Sequence, residues 1–180
     1  LTSPSPTWFL AEGATHNTFD LFYLIQNPGP TAATVTVRYL RPSPLAPLTK
    51  NYVVAGNSRF TIAVDNEVIS GQSLAATDVS AVLASLDQHP FVVERAMYLH
   101  RGGQMYAAGH AGAGIASPRD QWLLAEGATG PLFDLFVLVA NPGTAEELIR
   151  LGAAMLDPRH GELSALGIVE VPEGMPLSEG

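Results

Sequence analysis

One segment of this chain is written twice. Residues 8–29 read WFLAEGATHNTFDLFYLIQNPG and residues 122–143 read WLLAEGATGPLFDLFVLVANPG, with fifteen of 22 positions identical at a constant offset of 114 residues. Solenoid repeats run about 20–45 residues, so a period this long fits a duplicated small domain instead. The second copy runs only 59 residues, from Trp122 to Gly180. The expected organisation is a Pro/Ser leader over residues 1–7, a complete module over 8–118 and a second, partial module over 119–180.

Within the first copy the dominant hydrophobic period is two. Val35, Val37 and Tyr39 alternate with Thr34, Thr36 and Arg38, and Phe60, Ile62 and Val64 alternate with Arg59, Thr61 and Ala63. That is the pattern of strands with one wet face. Residues 19–26 are apolar on both faces and predict a central strand buried on both sides; residues 91–99 are a further strand candidate, with Glu94 and Arg95 embedded in it. Residues 75–86 fit a short helix or a strand, with Val79, Val82, Leu83 and Leu86 at spacings that suit the helix. Asn27-Pro28-Gly29, residues 42–47, Gly56-Asn57, Pro90 and Arg101-Gly102-Gly103 fall between the apolar runs, where such residues supply turn geometry. Short strands punctuated in this way predict an all-β fold. The expected form is an immunoglobulin-like antiparallel β-sandwich, one complete module plus a second partial module.

After Gly143 the second copy loses the pattern. Met155-Leu156-Asp157-Pro158 aligns with Tyr39-Leu40-Arg41-Pro42 after a two-residue insertion, and nothing in the second copy matches residues 60–64, 91–99 or 101–114. A sandwich short of those strands leaves Phe133, Phe136, Leu138 and Val139 without a covering sheet, which makes them the candidate assembly interface. A neighbouring subunit, more of a longer chain, or residues 144–180 packed on the first module would each cover them.

Composition excludes several function classes. With 17 acidic and 9 basic residues the net charge is −8, and Lys50 is the sole lysine, so neither a nucleic-acid footprint nor a polybasic membrane patch is present. No apolar run reaches the ~20 residues of a spanning helix. Cys is absent, which removes disulfides, thiolate metal sites and cysteine nucleophiles. The chain begins at Leu1, as expected of a processed N-terminus or an excised fragment.

Six blocks occur in order: Trp-Phe-Leu-Ala-Glu-Gly at 8–13, Phe-Asp-Leu-Phe at 19–22, Asn-Pro-Gly at 27–29, Asn-Ser-Arg at 57–59, Val-Glu-Arg-Ala-Met-Tyr at 93–98 and Gly-His-Ala at 109–111. In this the chain resembles a family of uncharacterised tandem β-sandwich repeats in secreted and cell-surface proteins of bacteria such as actinobacteria and chloroflexi. The resemblance covers all of the first copy and the first half of the second. It implies an immunoglobulin-like sandwich and an extracellular or cell-surface setting, and it brings no activity and no catalytic residues.

The residues that carry chemistry give a parallel account. Glu12/Glu126 and Asp20/Asp134 are duplicated carboxylates, either a cation or sugar site repeated per module or structural groups. In the structural account, which is preferred, Glu12 pairs with a cation such as Arg95 while Asp20 caps or faces solvent, and no calcium-loop pattern argues otherwise. His16, His89, His100, His110 and His160 form no helical metal motif; His100 and His110 flank a hairpin turn and could face each other across it. There is no Gly-x-Ser-x-Gly elbow, and Gly-His-Ala-Gly-Ala-Gly at 109–114 does not open a helix after a strand, so small residues there serve close backbone approach. Trp8 and Trp122 read as core, whereas Tyr98 and Tyr106, near the hairpin, are possible glycan contacts through stacking. The expected function is a non-enzymatic extracellular structural module that self-assembles into a filament or lattice, or adheres; the alternative is a carbohydrate-binding module. No cofactor or metal is expected, and the expected partners are other copies of the chain or an extracellular glycan.

Overall fold

The period of two is realised across ten strands in a computed structural model that describes residues 3–16, 18–124, 127–131, 135 and 137. The strands are β1 (Thr7–Leu10), β2 (Phe19–Asn27), β3 (Ala33–Leu40), β4 (Leu48–Val54), β5 (Ser58–Ala63), β6 (Val68–Ile69), β7 (Gln72–Ser73), β8 (Ser80–Ser85), β9 (Val92–Arg101) and β10 (Gln104–Ala113), with one 3₁₀ turn at Val64–Asn66. Two antiparallel four-stranded sheets, ordered β1-β8-β3-β4 and β10-β9-β2-β5, make the sandwich, and β6-β7 is a small separate hairpin. The architecture is the antiparallel β-sandwich expected from the strand pattern. Its strand order sets β1 beside β8 and not beside its neighbour in sequence.

Alternation places one face of most strands in a single core. Trp8 and Leu10, Val35, Val37 and Tyr39, Tyr52 and Val54, and Leu83 come from the first sheet; Leu21, Tyr23 and Ile25, Ile62 and Val93 come from the second. Each large apolar side chain buried there contributes about 1.5–3 kcal/mol. Trp8 is fully buried, and its indole N–H donates to the Phe91 carbonyl at 2.8 Å, which satisfies its polar end.

Several expectations change. Residues 75–86 hold no helix: β8 alternates Ala81, Leu83 and Ser85 inward, and Leu86 is exposed. A spacing of three and four also fits a strand when turns flank it. β2 is central, as expected, but burial is confined to its inward face, at Leu21, Tyr23, Ile25 and Asn27, while Phe22 and Leu24 on the opposite face are half-buried, with no third layer over them among the described residues. Phe60 lies on the edge strand β5 and stays partly exposed. The leader is tied down from Ser5, which exchanges two backbone hydrogen bonds with Phe91, and Thr7 already belongs to β1. Trp122 is 42% exposed, in contrast to Trp8.

The repeated motif turns out to hold the scaffold together. Arg95, on the inner side of β9 and 7% exposed, donates through Nη1 to the Glu12 carboxylate at 2.8 Å, the pairing anticipated from sequence. Thr15 accepts from the Thr77 amide and donates to its carbonyl, both at 3.0 Å. Asn27 is buried and donates to the carbonyls of Thr31 and Val54 while accepting from the Gly29 amide, so the Asn-Pro-Gly turn is bolted to β4. A Cβ at Gly13 would come within 2.6 Å of Leu21 Cδ2 and 2.9 Å of the Val79 carbonyl oxygen. The second copy repeats this packing: a Cβ at Gly127 would come within 2.7 Å of Leu135 Cδ2. At both positions the glycine leaves room for the corresponding leucine, Leu21 or Leu135.

The chain divides into two units, Leu1–Asp120 and Gln121–Gly180. The candidate interface side chains Phe133, Phe136, Leu138 and Val139 lie outside the described residues.

Candidate functional site

The face of the second sheet that points away from the core gathers the chemistry. Tyr98 and His100 alternate outward on β9, and the register sets Asp20 of β2 directly opposite Tyr98 and Phe22 opposite Ala96. The ring centroids of Phe22 and Tyr98 are 6.0 Å apart at an interplanar angle of 65°. His100 Nε2 and Asp20 Oδ2 are 2.6 Å apart. Asp20 therefore partners a histidine and neither caps an element nor stands free in solvent.

The fourth ring arrives through an irregularity. Arg101-Gly102-Gly103-Gln104 is a two-residue hairpin with both glycines at positive φ, the geometry that follows the natural twist of the strands. Beyond it, pairing moves from Gln104↔Arg101 to Ala108↔Leu99, so four steps along β10 (108 − 104) match two along β9 (101 − 99). The two surplus residues form a bulge, and Tyr106 within it has φ = +56°. A bulky residue in the left-handed region is an outlier that costs roughly 1–2 kcal/mol. This turns the Tyr106 ring over the sheet, 5.0 Å from Tyr98 at 68° and 5.4 Å from His100. Tyr98 in turn lies across Gly109, where a Cβ would stand 2.8 Å from its ring. The glycine of the Gly-His-Ala block thus serves a side chain as well as a backbone approach.

The result is a surface cluster of three carbon-rich rings bordered by an imidazole–carboxylate pair, with Tyr98 37% and Tyr106 52% exposed. Asp65 sits close enough to feel both Asp20 and His100; burial raises its carboxyl above the ordinary value, and the Leu21 N–H, donated at 2.8 Å, works against that rise. Both possible glycan contacts named from sequence belong to this cluster, brought together by the hairpin. Phe22, Asp20 and His100 were not connected to them by sequence, because the link is a β2–β9 register that spans about 80 residues.

His100 and His110 do not face each other. His110 points to the inner side, where its Nδ1 accepts from Arg95 Nη2 at 2.8 Å. His16 pairs with Asp78 and His89 with Asp87 at the surface. Among the described residues no three histidine or carboxylate side chains converge in a way that would hold a metal ion. None of the helices among the described residues is long and apolar enough to cross a membrane.

No protein-family model matches this chain, and no curated protein does. Among solved structures it is similar to the Thermotoga maritima protein 1070, with a TM-score of 0.55, 14% identity, and coverage of 64% of this chain and 97% of that one. It is also similar to the Anabaena sensory rhodopsin transducer, with a TM-score of 0.43 and 20% identity over 53% of this chain and 90% of that one. At 14% identity the first likeness establishes a shared β fold and nothing about activity.

Proposed function

We propose that this chain is a non-enzymatic, extracellular module of a repeat protein, acting by adhesion, with the Tyr98–Tyr106 face as its contact surface and carbohydrate as its ligand. One observation carries this reading. Tyr106 is held at φ = +56°, at a cost in stability, in a position where its ring stays half exposed beside a second tyrosine. Backbone strain of this kind persists where surrounding structure maintains it, and it concentrates at binding sites. Aromatic rings stack on the C–H faces of sugars, while the adjacent Asp20 and His100 offer hydroxyl partners. The two carboxylates of the site are each engaged within the protein, Asp20 by His100 and Asp65 by the Leu21 N–H, which favours binding over catalysis.

A second reading, self-assembly, is favoured by β10. All of its residues but Gly112 are exposed, it pairs only with β9 among the described residues, and it carries no lysine or proline to blunt strand addition. A glycan array probed with the full chain, together with light scattering across a concentration series, separates the two. Sugar hits lost in Tyr98→Ala and Tyr106→Ala support adhesion. A concentration-dependent oligomer with no sugar hits replaces it with assembly.

A further inference from the structure

The geometry points to a ligand class narrower than carbohydrate in general: we infer that the tyrosine face takes a single, soluble, uncharged glycan chain, and rejects both crystalline polysaccharide surfaces and acidic polymers. This rests on the adhesive reading above and deepens it.

Ring orientation excludes the flat surface. A crystalline polysaccharide presents a plane of sugar rings, and a receptor for it needs aromatic faces that are coplanar and point the same way. Here successive rings turn by 65° from Phe22 to Tyr98 and by 68° from Tyr98 to Tyr106. No plane lies flat on both Phe22 and Tyr98, or on both Tyr98 and Tyr106. A single chain, whose sugar units rotate about their glycosidic bonds, presents its faces in different directions and suits a twisted set of rings. The length of the cluster agrees. Its centroids step 6.0 Å and then 5.0 Å, about the span of two or three sugar units. Tyr106 sits on a bulge whose backbone strain sets the last turn, so the twist is built in.

Charge excludes acidic polymers. The polar border of the rings is Asp20 and its partner His100, with Asp65 close behind. Arg101, at the start of the hairpin turn, is the basic residue nearest in sequence. The chain as a whole carries −8, and like-signed charge works against uronate or sulfated chains at close range. A carboxylate–imidazole pair instead suits hydroxyls: Asp20 uses one oxygen on His100 and, as a carboxylate, keeps further acceptor sites for a sugar O–H.

Native gels cast with hydroxyethyl cellulose, glycol chitin, laminarin, soluble starch or polygalacturonate, with pull-downs on microcrystalline cellulose and chitin, test this on the full chain. The expected result is retardation in at least one neutral gel, weakened tenfold or more in Tyr106→Ala and in Tyr98→Ala. No retardation is expected in polygalacturonate, and no depletion by the crystalline solids. Asp20→Asn, which keeps the size and a hydrogen-bonding oxygen, serves as a second variant and should weaken binding in the same gel; circular dichroism checks that each variant is folded. Tyrosine-dependent binding to a crystalline solid or to polygalacturonate overturns this inference and leaves the adhesive reading standing. Absence of tyrosine-dependent binding to any of the seven materials overturns the adhesive reading, and the inference with it.

Discussion

Tyr106 offers a test in which two nearly identical substitutions separate backbone strain from ring contact. Tyr106→Ala and Tyr106→Gly both remove the ring that lies 5.0 Å from Tyr98 and 5.4 Å from His100, so both lose the same packing and the same binding. They differ only in the Cβ, which at φ = +56° clashes with its own backbone at a cost of roughly 1–2 kcal/mol. Glycine avoids that cost and gives up about 0.5–1 kcal/mol of chain entropy on folding. The net expectation is that the glycine variant is more stable than the alanine variant by about 1 kcal/mol. In an ordinary strand the order is the reverse, with alanine ahead by about 0.5–1 kcal/mol. Urea unfolding followed by tryptophan fluorescence reads the difference, and for a chain of this size 1 kcal/mol corresponds to roughly 2–4 °C in Tm. An alanine variant ahead of the glycine variant by the ordinary margin of about 0.5–1 kcal/mol would show that position 106 carries no strain, and would remove the main support for the site.

Three further outcomes follow from the core. Glu12→Ala removes the charged partner of the Arg95 guanidinium, which is almost wholly buried and keeps the Glu12 carbonyl and His110 as acceptors, and should cost about 2–3 kcal/mol, whereas Arg95→Met leaves only the partly exposed Glu12 and should cost less; equal costs in chemical denaturation would contradict this ordering. Tyr23 is fully buried and its hydroxyl makes no hydrogen bond, so Tyr23→Phe should be neutral or stabilising by up to ~1 kcal/mol, and a loss beyond that would reveal a partner. Burial pushes the phenols of Tyr39 and Tyr52 well above their ordinary range, and the two hydroxyls hydrogen-bond each other at 2.7 Å. Above pH ~10 the unfolded phenols release protons that the folded ones keep. Stability should therefore hold below that pH and fall above it, by about 1.4 kcal/mol per pH unit for each such tyrosine. A Tyr39→Phe/Tyr52→Phe chain should show a shallower decline, and an unchanged slope would refute the assignment.

The fold was legible wherever one strand face is apolar and the other polar. Val35, Val37 and Tyr39 against Thr34, Thr36 and Arg38 announce β3 without ambiguity. Strand β8 was less clear, because Val79, Val82, Leu83 and Leu86 also satisfy a helical spacing and only the pairing with β1 and β3 decides the matter. The Glu12–Arg95 pair could be anticipated because a buried cation needs a carboxylate and few carboxylates sit beside apolar residues. Partial burial of Phe22 could not, since whether a layer covers the outer face of β2 depends on the layering of the whole fold and not on local sequence. The site was half visible. Tyr98 and Tyr106 stood out as aromatics near a glycine turn, but what joins them to Asp20 and Phe22 is long-range register, and what aims Tyr106 is a bulge that no local signal marks.

The long reach of the repeated segment governs when this domain can form at all. Trp8 and Glu12 find their partners, Phe91 and Arg95, 83 residues later, and Asp20 finds His100 after 80. β1 and β2 share no ladder with each other or with β3, so the first forty residues leave the ribosome without a strand partner. β3 gains β4 and β2 gains β5 soon after, but β1 waits for β8 and β2 for its second neighbour β9; at synthesis rates of about 5–20 residues per second the 83 residues from Trp8 to Phe91 take roughly 4–17 s. Folding is gated by the last third of the module, and contacts this distant in sequence form slowly. By then a second Trp-x-Leu-Ala-Glu-Gly-Ala-Thr segment is next to emerge, spelled for the same place beside β8. Prompt docking of β1 on β8 therefore protects the first copy from capture by its own duplicate, a hazard specific to tandem repeats of near-identical sequence.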